Sequence, residues 1–376
     1  MENWIKLSLP HKSGTEMKYI EQAFADDWFV PLGPNVDEFE RRLSEFVGGR
    51  PVVALSAGTA AIHLGLVMLG VQPGDEVICQ SLTFAASANP IKYCGAKPVF
   101  VGSESETWNM SPDILRQAID DRIKRTGRKP KAIIAVDLYG MPARLDEIAA
   151  IAAEYEIPLL EDSAEAMGST LDGKMCGTFG EYGAMSFNGN KMITTSGGGA
   201  LICPDEEAAA RVKFLATQAR ENRPYYYHEV IGYNYRLSNI SAGIGIGQLE
   251  TIESRLARRR EIHDIYSREL AGVACVKVLD NPSQRFNSNF WLTTILLDSN
   301  SLLTPDELRL RLAERHIETR LLWRPMDMQP VFADCPAYGD GLDRELFESG
   351  LCLPSGSSLT DTEVSCVIEA LEEALG

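Results

Sequence analysis

The chain has 376 residues, 45% of them hydrophobic, 24% charged and 8% aromatic, with 31 Gly and 19 Pro. That length suits two domains, or one large domain with an appendage, and the composition is not disordered, collagenous or repetitive. With 36 basic against 53 acidic side chains the formal net charge is −17, which makes nucleic acid and anionic membrane poor partners.

The start, Met1-Glu2-Asn3-Trp4-Ile5-Lys6, has no basic stretch followed by an apolar one, so no secretory signal is expected. No uncharged apolar run reaches the roughly 18–20 residues of a membrane span; the richest, Ala60 to Val71, is too short. From Val52 onward, short β-rich runs alternate with helical stretches. The predicted strands are Val52–Leu55, Glu76–Gln80, Pro98–Val101, Ala132–Asp137, Pro158–Glu161, Ala184–Phe187 and Ala200–Cys203. Amphipathic helices, among them Ala60–Leu69, Pro112–Ile119 and Leu145–Tyr155, separate several of them. This alternation implies a mostly parallel, seven-stranded sheet with helices on both faces.

Arg236–Leu270 reads as one long helix, with Leu249, Ile252, Leu256, Ile262 and Ile265 on an apolar stripe and the arginines from Arg255 to Arg260 on a solvated face. Strand-like Phe290–Leu297 and the helices Thr304–Arg315 and Thr360–Leu375 follow. Thr360 and Glu363 form a Thr-x-x-Glu capping box. The predicted division is a large α/β domain with an N-terminal arm over 1–254 and a smaller α+β domain over 255–376. Gly243-Ile244-Gly245-Ile246-Gly247 follows no strand and misses the GxGxxG spacing, so helix packing explains it better than a dinucleotide site. Eight cysteines and five histidines are scattered without ligand spacing; no metal site is expected, and idle thiols suit a reducing cytoplasm.

Three places carry chemistry. Ser56-Ala57-Gly58-Thr59-Ala60-Ala61 lies between a strand and a helix, where small residues and free amides can cradle a phosphate, or simply cap the helix. Glu161-Asp162 ends an apolar strand, the edge at which open α/β sheets hold ligands, although a helix cap is the plainer reading. Ser186-Phe187-Asn188-Gly189-Asn190-Lys191 puts a lysine after a strand and before the turn Gly197-Gly198-Gly199.

Phosphate turn, strand-end aspartate and later lysine is the order found in pyridoxal-phosphate enzymes of fold type I. The wording resembles the DegT/StrS family of sugar aminotransferases over nearly the whole chain. The matching runs are Gly58-Thr59-Ala60-Ala61-Ile62-His63-Leu64, Thr83-Phe84, Glu161-Asp162-Ser163-Ala164-Glu165, Gly232-Tyr233-Asn234-Tyr235-Arg236-Leu237-Ser238, Leu322-Trp323-Arg324-Pro325 and Cys352-Leu353-Pro354-Ser355-Gly356. Ser-Phe-Asn-Gly-Asn-Lys and Trp108-Asn109-Met110-Ser111-Pro112 are most similar to EpsN- and PglE-like members.

The resemblance implies a fold type I enzyme in which Lys191 carries pyridoxal 5'-phosphate as a Schiff base and Asp162 pairs with the ring nitrogen. It implies phosphate contacts from Gly58, Thr59 and Ser186, a ring stacked on Phe84, and Glu165 near the ring hydroxyl. Asn234 would reach the cofactor phosphate of a second subunit, giving a homodimer with shared sites. Arg236 and Arg324 would be substrate-side cations. Read from its own residues, Pro224-Tyr225-Tyr226-Tyr227-His228 is a mobile substrate loop, because Tyr hydroxyls suit sugar and base contacts, with an interface patch as the alternative. The implied reaction moves an amino group from a donor, glutamate, to a nucleotide-linked keto sugar. C4 of a UDP-4-keto-6-deoxy-N-acetylhexosamine is the expected acceptor, with C3 as the alternative. A dehydratase relative would carry His in place of Lys191. A non-catalytic regulatory protein on the same fold would have no need to keep lysine, aspartate and phosphate turn together.

Overall fold

The computed structural model describes residues 4–375. Its central sheet has eight strands in the order Val52–Leu55, Gly199–Ile202, Tyr182–Ser186, Leu159–Asp162, Ala132–Val136, Glu76–Gln80, Lys97–Val101 and Ala337–Tyr338. Gly199–Ile202 runs antiparallel to both neighbours, and the other pairings are parallel. All seven predicted strands are present, and the count is corrected to eight by Ala337–Tyr338. Two residues carry no readable period, and this pair joins the sheet edge from far beyond the alternating region.

The strands are apolar throughout because both faces are covered. Val53, Leu55, Val77, Cys79, Ile134 and Leu160 pack under the helices Gly58–Met68, Ala85–Tyr93 and Glu206–Ala216. On the other face Ile78, Val99, Ile133 and Ala135 meet Pro112–Thr126 and Leu145–Tyr155. Val52, Ala54, Met185 and Ile202 meet Pro34–Phe46 and Asn239–Leu249 there. Neighbouring residues thus join different cores, as the period of two in a strand requires.

The long helix predicted over Arg236–Leu270 is two helices, Asn239–Leu249 and Ile252–Glu269, separated at Glu250 and Thr251. The glycine repeat lies in the first. A Cβ on Gly245 would come 2.6 Å from the Phe39 ring, and one on Gly247 would come 2.9 Å from the Glu16 nitrogen, so close helix packing accounts for both.

The expectation of a solvated arginine face is overturned for Arg255 and Arg259, which are buried. Arg259 donates to the carbonyls of Trp291 and Ser355 and to Ser8 Oγ. The charge sits inside because the backbone there needs donors that a local turn does not supply, which a charge pattern alone cannot reveal.

Beyond Ile252–Glu269, an antiparallel sheet of Val276–Val278, Thr294–Leu297, Gly350–Cys352 and Arg320–Leu321 packs against Pro305–Glu314 and Asp361–Leu375. Thr360 and Glu363 form the predicted capping box. The N-terminal segment crosses to this sheet: Ile5 N donates to His316 O, Glu318 N to Ile5 O and Ser355 N to Leu7 O. Among the described residues no helix is long and apolar enough to cross a membrane.

Arg259→Met keeps the volume but strands two buried carbonyls. The expected cost is about 2–4 kcal/mol, seen as a lower denaturant midpoint with an unchanged transition slope. An unaltered midpoint would show that the guanidinium holds nothing together.

Candidate active site

The C-terminal ends of the parallel strands open into a cleft of about 1240 Å³. Gly58, Thr59, Phe84, Asp162, Glu165, Ser186 and Lys191 all line it, so seven of the residues singled out from the sequence meet in one place.

The helix Gly58–Met68 enters this cleft by its N-terminus. Its N-cap, Ala57, is extended and supplies no side-chain acceptor, so the first-turn amides remain for a ligand. Two backbones are pressed together here. A Cβ on Gly199 would fall 2.4 Å from Gly58 N, and one on Gly58 would fall 3.0 Å from Ser186 Cβ. Glycine at both positions lets the turn and the neighbouring strand ends share one anion-sized recess.

Asp162 ends its strand with 4% of its surface exposed. Ser87 Oγ donates to Oδ2 at 2.6 Å and the Ala164 amide to Oδ1 at 3.2 Å. Ser87 Oγ lies 2.8 Å from Thr83 Oγ1 in turn. Burial pushes the Asp162 carboxyl up, and Ser87, the Ala164 amide and Lys191 pull it back only in part.

Lys191 Nζ lies 3.1 Å from Glu165 Oε1 and 4.1 Å from the centroid of the Trp291 ring. Glu165 is also buried, and burial raises its carboxyl more than Lys191 and the Tyr139 amide lower it. That amide donates to Oε2 at 2.7 Å from a backbone with φ 55 at Tyr139. The carbonyl of Asn190, next to the lysine, accepts from Trp291 Nε1 at 2.7 Å and from Ser8 Oγ at 2.9 Å. The backbone beside the lysine is therefore gripped by the segment that leads into the small sheet and by the N-terminal segment together. Phe84 stays 56% exposed at the cleft wall, 5.5 Å from the Trp323 ring.

The other three candidates lie apart from this cleft. Arg236 Nη1 is 2.8 Å from Glu40 Oε1, a buried carboxylate that also holds Lys213. Arg324 and Asn234 do not line the cleft either, and Asn234 is exposed beside Thr217. Reading the sequence for chemistry missed Ser87, Tyr139 and Trp291, which hold Asp162, Glu165 and Lys191 in turn. Ser87 follows Thr83 by one helical turn, the one faint signal available.

Among the described residues, Asp137, Glu161 and Cys176 are the one group whose potential metal-ligand atoms lie within 4.8 Å of one another. Glu161 is already committed to the amides of Gly177, Phe179 and Gly180. Burial first, and then the neighbouring Glu161, push the Asp137 carboxyl well up.

The cleft fits pyridoxal phosphate. Its amide turn suits the phosphate, the strand-end carboxylate a pyridine nitrogen, the Lys191 amine an aldehyde, and Phe84 a ring face. Residues 10–372 match the DegT/DnrJ/EryC1/StrS aminotransferase family. EpsN of Bacillus subtilis, to which a pyridoxal phosphate-dependent aminotransferase activity is attributed, is 48% identical, with 99% of this chain and 96% of EpsN aligned. GDP-perosamine synthase of Escherichia coli O157:H7 is 36% identical over 98% of both chains. A DegT DnrJ EryC1 StrS aminotransferase from Brucella abortus superposes with a TM-score of 0.90 at 30% identity, covering 96% of this chain and 95% of that one. The chain belongs to the DegT/DnrJ/EryC1/StrS aminotransferase family, a family of sugar aminotransferases that work with pyridoxal phosphate.

Proposed function

We propose that this protein transfers an amino group from L-glutamate to C4 of a UDP-linked 4-keto-6-deoxy-N-acetylhexosamine, in the cytoplasmic supply of a bacterial polysaccharide or glycan. The observation that carries this reading is the meeting of Lys191, Asp162 and the capless amide turn in one cleft of about 1240 Å³. An amino acid alone needs far less room, and a nucleotide-linked sugar uses it. The resemblance of the runs Ser186–Lys191 and Trp108–Pro112 to EpsN- and PglE-like members supports the choice of sugar.

Bound pyridoxal phosphate supplies an aldehyde that condenses with amines and a ring that accepts carbanion electrons. In this reading, Gly58 and Thr59 anchor the phosphate with Ser186, and Phe84 covers the ring. Asp162, aimed by Ser87 and the Ala164 amide, holds a proton on the ring nitrogen. Lys191 Nζ takes a proton from the donor carbon and delivers one to the sugar carbon. Glu165 lies against Nζ and positions it between those two tasks.

The test is a panel of UDP-linked 4-keto and 3-keto hexoses given to the holoprotein with L-glutamate, with products read by NMR. An amine at C4 is expected. An amine formed only at C3 would overturn the position. No change in cofactor absorbance with glutamate or any other amino donor would overturn catalysis itself.

We further infer a homodimer with shared sites. Phe24, Phe29 and Leu32 are each more than half exposed, and Ile231 is 84% exposed near Asn234, an apolar surface that a second copy would cover. Asn234 has no part in its own cleft, which suits a role in the neighbour's. Mixing Lys191→Ala with Asn234→Ala subunits should then restore about a quarter of wild-type turnover, because half the dimers are mixed and one site in each is intact. Severely impaired parents with no recovery after proven exchange would place Asn234 in its own subunit's chemistry.

A further inference from the structure

The helix Ile252–Glu269 carries two arginines one turn apart, Arg255 and Arg259, with only 3% and 1% of their surface exposed. Residues four apart share one helix face, so the two cations are neighbours and repel each other. Arg255 Nη1 donates to the side-chain oxygen of Gln248, and Arg259 Nη1 to the carbonyls of Trp291 and Ser355. Arg259 Nη2 lies 3.0 Å from Ser8 Oγ. Every one of these partners is neutral. Two donors are left over: Arg255 Nη2 and Arg259 Nε are buried without a hydrogen-bond partner.

A guanidinium does not escape such a position by losing its proton. Burial first, and then Arg255, pull Arg259 down to about 9, which leaves it charged at neutral pH. The same field reaches His11, which burial first, and then Arg255 and Arg259, hold below the ordinary imidazole range. The carboxylate that acts on Arg255 is Glu16. Its oxygens already accept from the amides of Ser13 and Gly14, at 2.7 and 2.9 Å, and from Gln248 Nε2 at 2.5 Å. Two buried cations against one carboxylate leave a positive charge without a counter-ion, and an unpaired buried charge is costly.

We propose that Arg255 Nη2 and Arg259 Nε together bind one small monovalent anion, chloride. The size follows from the donors. Two N–H groups suit a single spherical ion, whereas phosphate or a carboxylate would bury oxygens that nothing satisfies. The single charge follows from the surplus. Entry is from the side of His11, an exposed residue whose carbonyl accepts from Gln248 Nε2 at 2.9 Å. Neither arginine lines the cofactor cleft, so the site does not rest on the reaction proposed above. It bears on that cleft through Ser8, which accepts from Arg259 and donates to the Asn190 carbonyl beside Lys191. A bound chloride therefore steadies the contact between the N-terminal segment and the lysine's turn.

The experiment uses the protein saturated with pyridoxal phosphate, so that a halide does not act at the cofactor's own phosphate turn. Crystals grown or soaked in bromide should show an anomalous peak in contact with Arg255 Nη2 and Arg259 Nε. In solution, replacing gluconate by chloride at constant ionic strength should raise the thermal midpoint of wild type by about 2 °C, because the ion binds only the folded state. Arg255→Met removes one of the two donors and half of the charge, and its midpoint should not respond to the exchange. No bromide between the two guanidiniums would overturn the site, and so would a variant that keeps the wild-type response to chloride. The bromide map uses wild type alone, so it decides the question even where Arg255→Met does not fold.

Discussion

The site depends on setting a part-buried lysine against two buried carboxylates. Lys191 Nζ is held 3.1 Å from Glu165, and Lys191 also lowers the carboxyl of Asp162. Two acids this deep are expensive to keep charged, and burial pushes both upward. Each therefore needs donors from elsewhere: Ser87 and the Ala164 amide for Asp162, the Tyr139 amide for Glu165. Those donors come from separate connections of the central sheet, so the charge arrangement exists only when the whole sheet edge is formed.

The same economy explains why distant parts of the chain converge on the lysine. The Asn190 carbonyl is tied to Trp291 and Ser8, and Ser8 also accepts from the buried Arg259. Arg259 spans to Trp291 and Ser355, so one guanidinium on the helix Ile252–Glu269 links the N-terminal segment to the segments that flank the small sheet. The cleft is thus a seam between the parallel sheet edge and the antiparallel sheet. Lys191 lines it together with side chains from both sheets.

Much of this was legible in the sequence, for a physical reason. Strands buried on both faces are written as short apolar runs, and all seven such runs are strands of the sheet. Asp162 and Ser186 end strands, and Gly58 and Lys191 lie in the connections just beyond strands, where local composition betrays a turn. What stayed hidden depends on tertiary contact. Ser87 and Tyr139 look like ordinary helix and loop residues until the fold brings them against Asp162 and Glu165. Arg255 and Arg259 read as a solvated face because a charge pattern does not show that the fold brings the Gln248 side chain to one and the carbonyls of Trp291 and Ser355 to the other. Ala337–Tyr338 is too short for any period, and the break at Glu250 and Thr251 carries no proline or glycine to mark it.

The central claim is that one amine, Lys191 Nζ, is the covalent seat of the cofactor and the carrier of the proton. Borohydride reduction of the holoprotein followed by peptide mass mapping tests it most directly. The account predicts a reduced pyridoxyl group on the peptide containing Lys191 and its loss when glutamate is added before the borohydride. Attachment at any other lysine, or a Lys191→Ala protein that is still labelled and still turns over, would contradict it.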